Sequence, residues 1–191
     1  MGTDPAHDPM TRTARDGTVV HLRPVRGDDG PRIEELFASS SADTIFNRFL
    51  APLARLEGER LRALTHPEPG TECALAACID VDGRERMAGV GRFRRVSAEI
   101  AEIAIVVGDP WQRHGVGRML LRQLTLMARD LDLQWFDSTI DPSNLRLLRF
   151  VEACGFKGTL KYDGGLLHMR TNIAALFPVE LRDPIEDHPR P

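Results

Sequence analysis

The stretch VVGDPWQRHGVGRMLL, residues 106–121, joins a strand-like apolar run to a helix-periodic pattern through a proline and two nearby glycines, Gly115 and Gly117. Glycine lets the backbone turn sharply and approach a ligand closely, because it has no Cβ. The helix that follows presents unpaired N–H groups and the positive end of its dipole. The stretch therefore predicts a binding site for an anion such as a phosphate.

The length and composition of the chain indicate one folded domain. The 191 residues are 42% hydrophobic and 28% charged, which suits a compact core of ordinary size. We expect the domain to span residues 16–174. Residues 1–15 are predicted to be a tail that is either disordered or not native to the protein, and residues 175–191 a second tail rich in proline and acidic residues.

Charge and cysteine content argue against several classes of protein. The net charge of −3 offers no electrostatic attraction to nucleic acid or to an anionic membrane. No run of residues is apolar enough for a signal peptide or a membrane span. The three cysteines, Cys73, Cys78 and Cys154, form no metal-binding pair and no even disulfide set. We therefore expect a cytoplasmic protein without a metal, as a monomer or a homodimer.

Hydrophobic periodicity predicts an alternation of strands and helices. A strand at 18–22 precedes a helix with Ile33, Leu36 and Phe37 on one face, and further helices follow at 41–49 and 57–64. Later elements are predicted at the following ranges: strands 72–80, 86–96 and 99–107, helix 116–131, strand 134–140, helix 143–154, and a hairpin at 155–170. Short connections favour an antiparallel meander. The fold class is α/β with α+β layering, a mostly antiparallel mixed sheet flanked by helices.

The order of motifs resembles the GCN5-related N-acetyltransferase (GNAT) superfamily. The acyl-CoA signature of that superfamily, Q/R-x-x-G-x-G/A between a strand and a helix, is matched by QRHGVG at 112–117. Asn144 begins the next helix and CGF at 154–156 ends it. The segments LRPVRGDD, FASSSADTIFNRFL and AEIAIVV are most similar to the acyltransferase domain of bacterial protein lysine acetyltransferases. The resemblance implies acetyl-CoA as co-substrate and a splayed central strand pair.

The glycine-containing loop is the predicted phosphate-binding segment. Its successive N–H groups can cradle a pyrophosphate, and its arginines add positive charge. The candidate residues are Gln112, Arg113, His114, Gly115, Val116, Gly117 and Arg118. His114 is interpreted as a solvated loop residue with an incidental contact. A tight turn with a packing glycine is the structural alternative, and a dinucleotide-binding turn is disfavoured because GxGxxG is absent.

The strand before the loop and the helix after the next strand complete the predicted cofactor site. If the strand is splayed from 134–140, backbone groups near Val106 and Val107 are free to bond the pantetheine arm of acetyl-CoA. A fully paired core strand is the alternative. Asn144 is a helix N-cap residue by its position. The resemblance implies that it also bonds the pantetheine arm.

Glu102 is the candidate catalytic residue. Within AEIAIVV, apolar neighbours are expected to raise the pKa of a carboxylate by desolvation. An acceptor lysine, with a pKa of about 10.4, must lose a proton before it attacks a thioester. In the lysine acetyltransferases that the chain resembles, a glutamate on this strand is the general base, and Glu102 lies at the matching place. The alternatives are a solvated surface role for Glu102 and Glu99 as the base.

One position departs from the family pattern. Many members carry a tyrosine that protonates the leaving thiolate, where this chain has Val151. No general acid is assigned for this reason.

We expect an N-acetyltransferase that acts on a protein lysine. Acetylation of a small amine is one alternative, and a non-catalytic acyl-CoA sensor is another.

Overall fold

The computed structural model describes residues 10–14 and 16–177, and their elements follow the predicted order. The strands are β1 Met10–Thr13, β2 Val19–Pro24, β3 Glu72–Val81, β4 Arg84–Arg95, β5 Ile100–Val107, β6 Trp135–Ile140, β7 Gly158–Asp163 and β8 Leu166–Asn172. The α-helices are α1 Gly30–Ala38, α2 Ala42–Phe49, α3 Gly58–Thr65, α4 Val116–Asp130 and α5 Leu145–Ala153. Short 3-10 turns cover Gly27–Asp29, Asp109–Trp111 and Ile173–Ala175.

All eight strands join in one sheet of order β1-β2-β3-β4-β5-β6-β8-β7. Every neighbouring pair is antiparallel except β5 and β6, which are parallel. The predicted meander of β3, β4 and β5 and the hairpin of β7 and β8 are confirmed. The fold class predicted from the sequence, a mixed and mostly antiparallel sheet with helices around it, is also confirmed.

The parallel pair is splayed. β5 and β6 pair only from Ile100 with Trp135 to Glu102 with Asp137, and the remainder of each strand diverges. The register between β5 and β4 continues without a shift to Val107, so the gap opens on the β6 side of β5 alone. This open gap in the middle of the sheet is the feature around which the candidate site is built.

Helices pack on both faces of the sheet. α4 buries Leu120 and Leu124 completely against one face. Each such side chain contributes about 1.5–3 kcal/mol through removal from water. Ile33 and Leu36 of α1 pack on the opposite face. Close packing of α4 requires a glycine at Gly91 of β4, where a Cβ would lie 2.8 Å from Leu124 Cδ1.

Described structure is present on both sides of the predicted range 16–174. Met10–Thr13 pairs with β2 although the sequence placed it in a tail, because its short polar stretch becomes a strand only through its partner. At the other end Leu176 is 1% exposed, and its carbonyl accepts a hydrogen bond of 2.7 Å from Arg129 Nη2. The remaining tail residues, 1–9, 15 and 178–191, lie outside the described residues.

Candidate active site

The backbone of β5 directs alternate residues to the two sides of the strand. Val96 N–H donates to the Ile100 carbonyl at 2.9 Å, and Gly108 N–H donates to the Ala88 carbonyl at 2.9 Å. In an antiparallel ladder these two bonds place the N–H and C=O groups of the even-numbered residues towards β4. The same groups of Ile105, midway along the unpaired part of β5, therefore face the gap.

This alternation corrects one predicted contact and adds another. The sequence predicted free backbone groups at Val106. They are not free, because Val106 is paired with Val90 of β4. Val107 faces the gap, but its carbonyl accepts a hydrogen bond of 3.1 Å from Gln112 Nε2. Ile105 was missed because strand parity depends on the register with β4. The backbone groups of Ile105 and the N–H of Val107 therefore face the gap beyond the last residue of β5 that pairs with β6.

Gln112 connects the loop to two helices. Its Nε2 lies 3.0 Å from Thr44 Oγ1 of α2 and 3.1 Å from Asp109 Oδ1. Its Oε1 accepts a bond of 2.6 Å from Arg146 Nη1 of α5. The first residue of the signature therefore stabilises the loop from within, and its side-chain amide is occupied by protein partners.

Asp109 anchors the start of α2 to the same loop. Its carboxylate accepts hydrogen bonds from the Ser41 N–H and, at 2.8 Å, from the Thr44 hydroxyl. Partial burial opposes ionisation, but these hydrogen bonds hold the pKa of the Asp109 carboxyl below its usual value. The Asp109 carboxylate thus holds the N-terminus of α2 against the loop.

The loop ends in an open helix N-terminus. Arg113 has φ +68° and Gly115 has φ +97°, both in the left-handed region. Gly115 is the N-cap of α4 and supplies no side-chain cap, so the first N–H groups of the helix remain without a helical partner. A Cβ at Gly115 would meet only Met119 Cε, at 3.9 Å. The cradle predicted for a phosphate is therefore sterically open.

Gly117 places this cradle next to the gap. A Cβ at Gly117 would lie 3.6 Å from Val107 Cγ2 and 3.8 Å from Phe150 Cζ. These two atoms belong to the end of β5 and to α5. The helix N-terminus, the unpaired end of β5 and α5 thus surround one space.

Two charged or polar loop residues point elsewhere. His114 Nδ1 lies 3.0 Å from Asp16 Oδ2 in the turn between β1 and β2. Arg118 Nη1 lies 3.3 Å from the Ala153 carbonyl, and its guanidinium stacks 5.0 Å from the Phe177 ring centroid. Arg118 therefore packs at the end of α5, contrary to the expectation that it adds charge to the cradle. Arg146 has no place in the signature and was missed.

Asn144 and Val151 have clear structural roles. Asn144 Oδ1 caps α5 by accepting a bond of 3.0 Å from Leu147 N–H. Val151 is buried in a small cluster with Ile140 and Met169. The position where relatives carry a tyrosine is thus part of the core, and its side chain faces away from solvent.

Glu102 lies in a row of charged residues that crosses the sheet. Arg94, Glu102, Asp137 and Arg170 occupy paired positions on four adjacent strands. Arg94 Nη2 donates to Glu102 Oε2 at 2.7 Å, while Arg170 binds both oxygens of Asp137 at 2.7 Å. The Glu102 side chain is 57% exposed, so the expected desolvation is wrong. The apolar neighbours Ala101 and Ile103 point to the other face.

A cleft of about 680 Å³ opens over this row. Its lining includes Glu102 and Ala104 from one face of β5 and also Ile103 from the opposite face, so the cleft enters the gap between the strands. Its remaining charged or titratable side chains are Arg48, Arg92, Arg94, Asp137, Lys161, His168 and Arg170. Asp137 was missed by sequence reasoning because its proximity to Glu102 depends on the pairing of β5 with β6.

Within residues 10–14 and 16–177, no three His, Cys, Asp or Glu side chains are grouped as they would be around a metal ion. None of the described helices is both long and apolar enough to cross a membrane.

Comparisons with known proteins agree with this architecture. Residues 20–157 match the family model described as Acetyltransferase (GNAT) domain. The chain is 26% identical over 152 residues to Acetyltransferase PA5475 of Pseudomonas aeruginosa, covering 79% of this chain and 82% of the relative. It is 24% identical over an aligned length of 200 to Acetyltransferase Pat of Mycolicibacterium smegmatis, covering 95% of this chain. The chain spans 55% of the length of that mycobacterial protein.

Solved structures share the fold. The GNAT domain of S. lividans PAT superposes with a TM-score of 0.80 at 24% identity, covering 89% of this chain and 99% of that domain. A cAMP-binding acyltransferase from Mycobacterium smegmatis superposes with a TM-score of 0.61 at 19% identity, covering 96% of this chain and 51% of that one. With the splayed strand pair and the open helix N-terminus, the family match shows that this chain belongs to the GNAT family and is an acyl-CoA-dependent acetyltransferase.

Proposed function

We propose that this chain transfers an acetyl group from acetyl-CoA to a protein lysine, with Glu102 as the general base. The position of Glu102 carries the proposal, because it is the last residue of β5 paired with β6 before the gap opens. The acceptor assignment is supported by the similarity of three segments to bacterial protein lysine acetyltransferases, described above.

The geometry supports a specific placement of acetyl-CoA. The free N–H groups at the start of α4 bind the pyrophosphate, with Arg146 nearby as a source of positive charge. The exposed side chain of Arg113 adds further charge. The pantetheine arm lies in the gap as a pseudo-strand and bonds Ile105 and the Val107 N–H. Asn144, whose Oδ1 is used as a helix cap, contributes its amide N–H groups to the arm.

Glu102 and Asp137 lie at the fork, the point where β5 and β6 separate, and they differ in their freedom to accept a proton. Both oxygens of Asp137 bind Arg170, whereas Arg94 binds only Oε2 of Glu102. Glu102 Oε1 therefore remains available to the acceptor amine, directly or through a water molecule. This difference favours Glu102 as the base, whereas Asp137 forms an ion pair with Arg170 beside it.

The transfer step follows from these positions. The lysine ammonium gives one proton to Glu102, and the neutral nitrogen attacks the thioester carbon. The new C–N bond forms as the C–S bond breaks, and backbone N–H groups of β5 in the gap stabilise the charge on the carbonyl oxygen. The attached nitrogen gives its second proton to solvent, and the leaving thiolate takes a proton from solvent. A thiol pKa of about 8.5 makes the thiolate a tolerable leaving group without a side-chain acid. No side chain at position 151 is required.

Acetylation of a cell lysate tests the acceptor. Incubation with the protein and isotopically labelled acetyl-CoA, followed by mass spectrometry, is expected to find labelled protein lysines above the level seen with Glu102→Gln. Label confined to small amines would replace the protein acceptor with a small-molecule one. Tight binding of acetyl-CoA without turnover of any amine would identify an acyl-CoA sensor.

A further inference from the structure

Arg48, on the last turn of α2, lines the cleft, and none of the described carboxylates pairs with it. Its guanidinium stacks 4.8 Å from the ring centroid of its neighbour Phe49. In the part of the chain that the structure describes, it forms no ion pair and donates no hydrogen bond to a carbonyl. Other cleft arginines differ: Arg94 and Arg170 are paired within the row, and Arg92 Nη2 donates to Glu72 at 2.7 Å.

The surroundings of Arg48 are unfavourable for an isolated cation. Burial, with a smaller contribution from nearby Arg92, lowers the pKa of Arg48 to about 10. A desolvated charge is costly unless an opposite charge or a hydrogen-bond acceptor compensates it. A basic residue in the last turn of a helix often interacts with the final carbonyls, but no such hydrogen bond is made by Arg48 among the described residues. Helix capping therefore does not account for its position.

The cleft as a whole favours an anion at this end. Five basic side chains line it against two acidic ones, although the whole chain has a net charge of −3. The acidic pair, Glu102 and Asp137, lies at the fork, whereas Arg48 and Arg92 lie towards α2. Arg94 lies opposite Glu102 and Arg92 lies opposite Ala104, so Arg92 is about 7 Å along β4 from the position of the acidic pair.

We propose that Arg48 binds a carboxylate of the acceptor, and that the enzyme therefore prefers a primary amine that has an acidic group close to it. In a protein substrate this group is an aspartate or glutamate close to the acetylated lysine. The inference rests on the proposed function, because it assigns the acceptor to the cleft over Glu102. The amine lies at the acidic fork and the carboxylate lies at the basic end.

Matched peptides test the preference. Each peptide contains one lysine and either glutamate or glutamine, which are nearly isosteric, at each neighbouring position in turn. The wild-type protein is expected to show a kcat/KM at least about tenfold higher for the best glutamate peptide than for its glutamine partner, as a charge-assisted hydrogen bond would provide. Equal values at every position would rule out an acidic group in a peptide acceptor, and equal values for the small-molecule pair described below as well would overturn the proposal.

Variants assign the preference to Arg48. Arg48→Gln is expected to remove the tenfold difference, and Arg48→Lys to keep part of it. Arg60→Gln makes the same change of charge at an exposed position of α3 and is expected to leave the difference intact. A loss in Arg48→Gln that is equal for both peptides, with weaker binding of acetyl-CoA, would assign Arg48 to the co-substrate and overturn the inference.

Experiments with small molecules test the carboxylate site separately from the acetylation of protein lysines. ε-Aminocaproate and its neutral amide repeat the comparison without a peptide, so a preference found only here would indicate a free amino acid as acceptor. Calorimetric binding of N-acetyl-ε-aminocaproate gives a measurement independent of turnover. Binding to the wild type that is weakened in Arg48→Gln would support the carboxylate site even if no lysine were acetylated. Equal binding, or none, would overturn it.

Discussion

Glu102 and Asp137 lie side by side on adjacent parallel strands at the last paired position before the strands separate. Each carboxylate binds its own arginine, but Glu102 Oε1, unlike either oxygen of Asp137, has no guanidinium partner among the described residues. The sheet therefore places one available base at the point where the gap begins.

Glu102→Gln is expected to lower kcat/KM by about 10²–10⁴, the usual contribution of a positioned acid or base. Glutamine can still accept the hydrogen bond from Arg94, so folding and acetyl-CoA affinity are expected to remain unchanged. The fall of kcat/KM at low pH, which protonation of the base would cause in the wild type, is expected to disappear as well. Asp137→Asn is the matched comparison and is expected to lose less than about tenfold. Equal rates for wild type and Glu102→Gln at about pH 6–9 would remove Glu102 from the mechanism.

Gly115→Glu is expected to abolish stabilisation by acetyl-CoA. A ligand at about 100 times its Kd stabilises a protein by about 2.7 kcal/mol, which raises Tm by roughly 5–10 °C for a chain of this size. The variant places a carboxylate where the pyrophosphate is proposed to bind. Gly115→Asn is the control, because asparagine tolerates a positive φ and adds no charge. The measured quantity is the rise in Tm on adding ligand. An undiminished rise in Gly115→Glu would show that phosphate binds elsewhere.

Gln112→Glu is expected to destabilise the fold by about 1–3 kcal/mol. The change removes the donor that Val107 O and Asp109 share and places a second carboxylate beside Asp109. Urea unfolding measures the loss. Gln134→Glu makes the same chemical change at an exposed pair with Glu99 and is expected to alter stability by less than about 0.5 kcal/mol. A similar effect in both variants would contradict the bridging role of Gln112.

The lowered pKa of Asp109 predicts how the stability of the fold changes in acid. Its pKa is lower in the folded protein than in the unfolded chain, so its ionised form favours folding. This contribution is complete above the unfolded pKa of about 3.9 and is lost as the pH falls through the folded pKa below it. Wild type is therefore expected to be more stable than Asp109→Asn at neutral pH, with the difference shrinking below about pH 4. A difference that grows on acidification would contradict the assignment.

Arg48→Met is expected to leave Tm unchanged or raise it by up to about 2–4 °C, equivalent to about 1 kcal/mol. Methionine keeps an unbranched apolar stem and removes a partly buried charge for which the described residues supply no anionic partner. Thermal unfolding without ligand measures the effect, with Arg60→Met as the surface control. A fall in Tm of more than about 2 °C, absent in the control, would show that Arg48 stabilises the fold itself.

Local patterns of the sequence determined the order of elements and the location of the phosphate-binding loop. Alternating and helical periodicities are properties of neighbouring residues, and they predicted β3, β4, β5, α4 and the β7–β8 hairpin close to their observed bounds. The need for glycine at Gly115 is local as well, because a positive φ is a property of one residue. The family signature at 112–117 extended this reading to the fold and the co-substrate.

Only the tertiary structure decided which chemical groups face one another. The parity of β5 is set by its register with β4, which turns Val106 away from the gap and Ile105 towards it. The exposure of Glu102 and its proximity to Asp137 depend on pairing between strands that are distant in sequence. Arg48 reaches the same cleft from α2, through packing that no local pattern encodes. Register and packing are set by the whole core, so side chains that are far apart along the chain became neighbours only in the folded protein.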